Sequence, residues 1–256
     1  MKIAVKVGTS TLTYATGLLN IRRVEALCRV LSDLKNAGNE IVLVSSGAIG
    51  MGAGKLGFAE RPRDMPSKQA AAAVGQCELM YVYDKLFAEY NHTAAQILLT
   101  AADLRDENRH QNFTNTILRL LELGVLPVIN ENDTVSTEEI AFGDNDTLGA
   151  LAAVSVRADL LVILTDIDGL YTADPRRNPD AVRISEVREL TPEILASAGG
   201  QGSALSTGGM VTKLAAARLC MEAGVDMVIV NGCRPEILYE VVAGNPVGTR
   251  FLGRLV

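Results

Sequence analysis

The sequence has few of the residues that build metal sites and disulfide frameworks. Among its 256 residues are four cysteines, two histidines and no tryptophan. Cys28, Cys77, Cys220 and Cys233 are far apart and form no CxxC pair. This spacing favours neither a zinc site nor a set of disulfides. We therefore interpret the cysteines as buried thiols of a protein in the reducing cytoplasm.

The sequence also has no excess of basic over acidic residues and no long apolar run. The formal net charge is −6 at pH 7, so the chain as a whole has no field that would attract nucleic acid or an anionic membrane. No apolar run reaches about 18 residues, the length that indicates a membrane span. The first residues lack the basic and apolar pattern of a secretion signal. The sequence predicts no nucleic-acid partner and no membrane span, and an anionic ligand would have to be bound by individual lysines.

What the sequence does contain is a regular alternation of apolar segments. Short β-branched runs predict strands, and apolar residues at three-to-four spacing predict helices. Strands are predicted at residues 2–7, 41–44, 94–99, 125–129, 159–165, 226–230 and 248–252, and helices at 21–37, 67–90, 112–123, 147–156, 210–223 and 235–242. This alternation is typical of an α/β protein, a three-layer α/β/α sandwich with a mainly parallel open sheet. Because no linker or repeat interrupts it, we expect a single domain over residues 1–256. A peripheral hairpin formed by residues 96–100 and 135–142 is a further expectation.

A glycine-rich stretch at residues 52–57, GAGKLG, matches the GxGxxG pattern of dinucleotide-binding loops. That pattern requires its first glycine in the turn between a strand and a helix. Gly52 instead lies well after the strand predicted at residues 41–44, so we do not favour a dinucleotide site. Ser46 and Gly47, which follow the strand directly, are better placed to bind a ligand.

Polar side chains crowd between the strand predicted at residues 125–129 and the helix at 147–156. They are Asn130, Asn132 and Asp133 after the strand, and Asp144, Asn145 and Asp146 before the helix. Any one of the last three could be no more than a helix cap. Open α/β sheets bind ligands at the carboxyl ends of their strands. The segment therefore predicts a binding site that offers carboxylates to an ammonium group or metal, amides to a carboxylate, and a helix N-terminus to an anion.

Two lysines accompany this segment. Lys6 lies at the end of the first strand, and Lys213 enters a helix after a Gly-Gly pair. A lysine near a helix N-terminus opposes the helix dipole unless an anion binds there. Taken alone, each lysine could simply reach solvent. Together with Thr165 and Asp166 at another strand end, they predict transfer of a phosphoryl group to a small zwitterion.

Six motifs in this order resemble the amino acid kinase family over essentially the whole chain. They are KVGTS at 6–10, VSSGAIGMG at 44–52, NENDTV at 130–135, FGDND at 142–146, LTDIDGLYTADP at 164–175 and STGGMVTK at 206–213. Within the family, the chain is similar to members that use ATP to phosphorylate the side-chain carboxylate of L-glutamate. The product is L-glutamyl 5-phosphate, formed in the first step of proline biosynthesis.

The resemblance implies roles for individual residues. Lys6 and Lys213 would contact the phosphates, and Asp144 would orient both lysines, which makes these three the catalytic set. The nucleotide would be bound by Lys6, Gly8, Thr165, Asp166, Thr207, Gly208, Gly209, Met210, Val211, Thr212 and Lys213. L-Glutamate would be bound by Ser46, Gly47, Asn130, Asp133 and Asn145. The resemblance does not identify metal ligands.

The resemblance also implies ATP and Mg²⁺ as cofactors and proline as a feedback inhibitor. It implies a homo-oligomer, either a dimer or a tetramer, and transfer of the product to glutamyl phosphate reductase. Many members append a small carboxyl-terminal domain similar to RNA-binding (PUA) modules, which we expect to be absent here. A carboxylate is already ionised at neutral pH, so the acceptor needs no general base.

Three other functions stay open at this point. The same fold could serve a kinase of acetylglutamate, a kinase of uridylate, or an amino-acid or nucleotide sensor without catalysis. Asp133 favours a free ammonium group over an acetylated one. Residues 130–146 contain no basic residue that would bind an acceptor phosphate. Both lysines are present, which argues against a sensor.

Overall fold

An eight-stranded sheet runs through the described chain, which in this computed structural model comprises residues 1–14, 16, 18–135, 145–175, 178–197 and 209–253. The strands are β1 (Lys2–Val7), β2 (Glu40–Ser45), β3 (Ala94–Leu99), β4 (Leu126–Glu131), β5 (Leu160–Thr165), β8 (Glu186–Val187), β9 (Asp226–Asn231) and β10 (Thr249–Phe251). Their order is β3-β4-β2-β1-β5-β9-β10-β8, and β6 (Leu170–Tyr171) pairs with β7 (Arg183–Ile184) in a separate ribbon. Within the sheet, β10 runs antiparallel to β9 and the other pairs are parallel. The sheet is therefore mainly parallel, as predicted.

Helices cover both faces of the sheet. They are α1 (Thr9–Leu12), α2 (Ile21–Asn36), α3 (Ala48–Lys55), α4 (Met65–Ala88), α5 (Ala101–Arg105), α6 (Glu107–Glu122), α7 (Asn145–Ser155), α8 (Pro192–Ser197), α9 (Met210–Glu222) and α10 (Ile237–Val242). Successive residues of β1 point to opposite faces. Ala4 packs in a core with α6, α7 and α9. Ile3 and Val5 pack in a second core with α2, α4 and α10. The three-layer sandwich is confirmed.

Most predicted elements agree with the structure within two or three residues, and α6 is the main exception. Its start was predicted at Asn112, but the helix begins at Glu107. Asp106 is the N-cap, and its side chain accepts a hydrogen bond from the backbone N–H of Arg109. The first turn of this helix is polar, so apolar spacing could not reveal it. The capping aspartate was the signal available in the sequence.

The predicted hairpin is only partly within the described residues. Residues 96–99 belong to β3, which pairs in parallel with β4. Residues 136–142 lie outside the described ranges. In the part of the chain that the structure covers, no helix combines the length and apolar character needed to cross a membrane.

The interpretation of all four cysteines as buried is wrong for two of them. Cys28 and Cys220 are buried, and burial raises the pKa of the Cys220 thiol to about 12. Cys77 and Cys233 are exposed. Cys77 lies on the outer face of α4 and Cys233 in the loop after β9, which are positions that sequence spacing alone does not distinguish from the core.

The glycine-rich stretch forms a helix contact. Gly52 lies inside α3 rather than in a turn after a strand. A Cβ atom on Gly52 would be 1.8 Å from the carbonyl oxygen of Ala71, and one on Gly75 would be 1.8 Å from that of Ala48. The two glycines therefore allow the backbones of α3 and α4 to approach closely. This contact brings α4 to the end of the sheet where α3 begins.

Gly75→Ala should destabilise the fold, because α3 and α4 would have to separate to admit the new Cβ atom. We expect a loss of about 2–3 kcal/mol in the free energy of unfolding, or roughly 4–10 °C in Tm for a chain of this size. Ala73→Ser, at an exposed position of the same helix, is the control and should change Tm by less than about 2 °C. Urea denaturation of both variants measures the difference. An unchanged midpoint for Gly75→Ala would contradict the close helix contact.

Candidate active site

The predicted site residues gather at the carboxyl ends of the parallel strands. Lys6 lies near the end of β1, and Ser46 directly follows β2. Asn130 lies near the end of β4, and Thr165 is the last residue of β5. Because β4, β2, β1 and β5 are neighbours in the sheet, these residues form a row along one edge. This is the edge at which open α/β sheets bind ligands.

A buried group of three charges lies in the middle of this row. The Lys6 Nζ atom is 2.7 Å from Asp146 Oδ1, and the Lys213 Nζ atom is 3.1 Å from Asp146 Oδ2. The side chain of Asp146 is fully buried, and those of both lysines are only 5% exposed. We name Lys6, Asp146 and Lys213 the charge cluster. Its members come from β1, α7 and α9, so only the fold brings them together.

The contact to both lysines was assigned to Asp144, which lies outside the described residues. The structure gives that contact to Asp146, two residues later. The sequence places Asp146 in the predicted polar cluster and offers it as a possible helix cap, but gives it no contact with the lysines. The FGDND motif contains both aspartates, so the sequence located the segment but not the residue.

Local packing explains how the charge cluster forms. A Cβ atom on Gly149 of α7 would be only 3.3 Å from the Lys6 Cβ atom, so glycine allows this helix to lie against β1. Asp146 occupies the first turn of α7, where a negative charge is favourable. Thr212 supports the carboxylate, since its hydroxyl oxygen lies 3.1 Å from Asp146 Oδ2.

The charge cluster favours an anionic ligand. Asp146 holds the ammonium groups of Lys6 and Lys213 close together at a buried position, and two adjacent ammonium groups suit an anionic group. Gly209 is the N-cap of α9 and provides no side chain to cap the helix. Helix N-termini bind anions through their free backbone N–H groups. A further glycine, Gly8, lies beside Lys6, since a Cβ atom there would be 3.7 Å from the Lys6 Nζ atom.

On one side of the charge cluster, amide side chains form a hydrogen-bonded chain. Asn145 Nδ2 donates to Ser46 Oγ at 2.9 Å and to Asn130 Oδ1 at 2.9 Å. It also lies 3.1 Å from the backbone oxygen of Ser45. Asn130 Nδ2 in turn donates to Gln76 Oε1 at 2.9 Å. We name Ser46, Asn145, Asn130 and Gln76 the amide network.

The amide network contains three of the five predicted glutamate-binding residues. Gly47 adjoins it as the N-cap of α3 and has a φ of 107°, a conformation that favours glycine. Asp133 lies half-buried in the turn after β4. Gln76 was not predicted, because it lies on the alanine-rich helix α4, far from the site motifs. A glutamine directly after the single glycine of an alanine-rich helical segment was the signal in the sequence that could have identified it.

On the other side of the charge cluster are the predicted nucleotide-binding residues. Thr165 is buried, and its backbone oxygen accepts a hydrogen bond from the Gly232 N–H at 2.7 Å. The Thr165 hydroxyl donates to Asp166, which is exposed. Met210 and Val211 form the first turn of α9 with Thr212 and Lys213. Thr207 and Gly208 lie outside the described residues.

Asp146→Asn should destabilise the protein, because it leaves two buried ammonium groups without their shared carboxylate. Removing one partner of a buried ion pair typically costs about 3–5 kcal/mol. The matched control is Asp84→Asn, which removes a carboxylate at an exposed position of α4. Urea denaturation at neutral pH should show a much larger loss for Asp146→Asn. Equal losses would contradict the central position of Asp146.

Comparisons with known proteins give the same fold and a family. Residues 1–231 match the model of the amino acid kinase family. The crystal structure of UMP kinase from Bacillus anthracis has a TM-score of 0.65 over 99% of this chain and 96% of that chain. Its sequence identity is 15%, so this similarity concerns the fold alone.

Sequence relatives are much closer. Glutamate 5-kinase from Clostridium perfringens is 52% identical over 99% of this chain and 96% of its own length. Glutamate 5-kinase from Clostridium tetani is 55% identical over 97% of this chain and 93% of its own length. For glutamate 5-kinase from Moorella thermoacetica the identity is 54% over 99% of this chain and 67% of the relative. The chain therefore belongs to the amino acid kinase family and, within it, to the glutamate 5-kinases.

Proposed function

We propose that this chain transfers the γ-phosphoryl group of MgATP to the side-chain carboxylate of L-glutamate. The products are ADP and L-glutamyl 5-phosphate, the first intermediate of proline biosynthesis. The observation that carries the proposal is the charge cluster, which lies between the amide network and the predicted nucleotide residues. An amino acid bound at the first and a nucleotide bound at the second would meet at the two lysines.

The nucleotide-binding half of the proposed site is assigned to residues at the end of β5 and at the start of α9. Thr165 and Asp166 end β5, and residues 209–213 begin α9. Backbone N–H groups at the start of α9, together with Gly8 beside Lys6, would bind phosphate oxygens. Thr207 and Gly208 complete this half by the resemblance. Lys6 and Lys213 would neutralise the charge of the β- and γ-phosphates.

The acceptor half is assigned from the amide network. The Ser46 hydroxyl and the N–H groups next to Gly47 would bind a glutamate carboxylate. The amide oxygen of Asn145 would face the α-ammonium group, and Asn130 would hold the Asn145 amide in place. Asp133 would pair with the α-ammonium group, which an acetylated substrate lacks. This charge pairing favours glutamate over acetylglutamate. Residues 130–146 also contain no basic side chain that would bind the acceptor phosphate of uridylate.

The reaction needs charge stabilisation more than proton transfer. A glutamate carboxylate is ionised near neutral pH, since its reference pKa is about 4.3, and can attack the γ-phosphorus without a base. One carboxylate oxygen forms the new P–O bond, and the bond to the bridging oxygen of ADP breaks. Negative charge develops on the bridging oxygen and on the phosphoryl oxygens. Lys6 and Lys213, fixed by Asp146, would stabilise that charge without rearrangement.

Magnesium is proposed as part of the nucleotide substrate. Asp146, the carboxylate of the charge cluster, already contacts both lysines. Within the described ranges, no three acidic, histidine or cysteine side chains cluster as metal ligands. Magnesium in kinases is commonly bound through substrate phosphates with one or two carboxylates. Phosphate oxygens would therefore provide most of the ligands of Mg²⁺, and the carboxylate of Asp166, which lies in the predicted nucleotide site, would add one.

Several expectations rest on the family resemblance alone and stay predictions. They are feedback inhibition by proline, assembly into a dimer or tetramer, and transfer of the product to glutamyl phosphate reductase. The cytoplasmic location, which was inferred from the cysteines, also stays a prediction. The single domain over residues 1–256, expected because no linker or repeat interrupts the alternation of strands and helices, also stays a prediction.

ADP release with different acceptors tests the proposed function. We expect release that depends on L-glutamate and magnesium, and much less with acetylglutamate, aspartate or uridylate. Hydroxylamine should trap the product as a hydroxamate, as it does for acyl phosphates. The rate should be level between about pH 6 and 8, because the acceptor needs no base. Activity with acetylglutamate or uridylate alone would reassign the substrate, and no activity with any acceptor would favour a sensor.

Lys6→Ala and Lys213→Ala should each lower kcat about a hundred- to thousandfold, because each removes a fixed cation from the reacting phosphate. The KM for glutamate should change only a few-fold. Lys85→Ala, at an exposed position of α4, is the control and should keep wild-type rates. Steady-state kinetics on all three variants decides the point. More than about a tenth of wild-type kcat in either lysine variant would contradict the charge-stabilising role.

A further inference from the structure

Gln76 is a buried polar residue outside every site motif. It lies on α4, next to the glycine that contacts α3, and is 8% exposed. Its side-chain oxygen accepts from Asn130 Nδ2 at 2.9 Å, and its Nε2 donates to Gln96 Oε1 at 3.2 Å. A buried amide whose two ends both find partners holds a defined orientation.

The hydrogen bonds of the amide network have a fixed direction. The backbone N–H of Glu131 donates to Asn130 Oδ1 at 2.9 Å. This bond turns the Asn130 NH₂ group toward Gln76, whose oxygen must then accept. Asn130 Oδ1 also accepts from Asn145 Nδ2, which fixes the Asn145 amide in turn. Each amide therefore determines how the next one is oriented.

The donor-to-acceptor direction of these hydrogen bonds leaves two polar groups of the amide network available to a ligand. Ser46 Oγ already accepts a hydrogen bond from Asn145, so its own hydrogen can be donated elsewhere. The Asn145 NH₂ group is used within the network, whereas its Oδ1 atom accepts no hydrogen bond from the described residues. One hydroxyl donor suits a carboxylate oxygen, and one amide oxygen suits an ammonium group. This pair matches an amino-acid zwitterion.

We propose that Gln76 is a positioning residue for the amino-acid substrate. By accepting from Asn130, it holds the amide orientation that presents Asn145 Oδ1 and the Ser46 hydroxyl to the ligand. The inference rests on the proposed function and adds a residue that acts through the network without touching the substrate. Its effect should therefore appear in amino-acid binding and not in nucleotide binding.

Loss of the Gln76 oxygen would leave the Asn130 NH₂ group buried without an acceptor. Such a group is destabilising, and the Asn130 amide would reorient to find a partner. A reoriented Asn130 would direct its NH₂ group at the Asn145 NH₂ group, which would also have to move. The donor and the acceptor offered to the substrate would both be lost.

Gln76→Met tests this role, since it keeps the length of the side chain and removes its hydrogen bonds. We expect the KM for glutamate to rise about tenfold, as loss of a buried hydrogen bond typically produces. The KM for ATP should stay within about twofold. Gln96→Met is the matched control, because the same substitution removes only the outer bond at an exposed residue. It should leave both KM values within about twofold.

Gln76→Glu provides the rescue, because a carboxylate oxygen can still accept from Asn130. Its KM for glutamate should fall clearly below that of Gln76→Met. Unchanged glutamate KM in Gln76→Met would overturn the inference. So would an equal rise in both KM values with a lower Tm and no rescue, which would show a merely structural role. If wild-type protein released no ADP with glutamate, the proposed function itself would fail, which separates the two failures.

Discussion

The fold depends on one constraint, which is that two buried lysines share a single buried carboxylate. Asp146 contacts Lys6 and Lys213, and the three side chains are almost completely removed from water. Burying charges is unfavourable unless they are paired. Asp146 holds the two lysines next to each other, so the folded core itself places two cations at the carboxyl ends of the strands. This is the position at which we propose that phosphate oxygens bind.

The surrounding structure brings the charge cluster and the proposed acceptor site to the same end of the sheet. Parallel strands end at one edge of the sheet, so residues far apart in sequence face the same space. Gly149 lets α7 approach β1, and α7 carries both Asn145 of the amide network and Asp146 of the charge cluster. One helix N-terminus thus links the proposed acceptor half of the site to the two lysines that we propose to be catalytic. A shift of α7 would disturb both halves together.

Glycines also determine how far the amide network extends. Gly52 and Gly75 allow α3 and α4 to touch, and Gln76 is the residue after the second glycine. The close contact places Gln76 within hydrogen-bond distance of Asn130, near the end of β4. The glycine-rich stretch that resembles a dinucleotide loop therefore serves packing. Its relation to the site is indirect, through the position of α4.

The sequence alone determined the seven strands longer than two residues, six of the ten helices in the described chain, and the segments that contribute to the candidate site. These follow from apolar periodicity and from short motifs, which are local properties of the chain. Apolar periodicity does not reveal the polar start of α6, because the signal there is an N-cap residue and not an apolar pattern. The exposure of Cys77 is also not apparent from the sequence, because composition does not tell which face of a helix is exposed to solvent.

Only the tertiary structure decided which side chains within a motif meet. Asn145 and Asp146 are adjacent in sequence, yet Asn145 is hydrogen-bonded to Asn130 and Asp146 forms ion pairs with the two lysines. Successive residues of a helix point about 100° apart, so a shift of one or two positions changes the partner. The motif could not show that Asp146 is the residue between the lysines, nor that Gln76 completes the network. Those contacts join segments far apart in sequence, and their geometry exists only after the sheet and helices have packed.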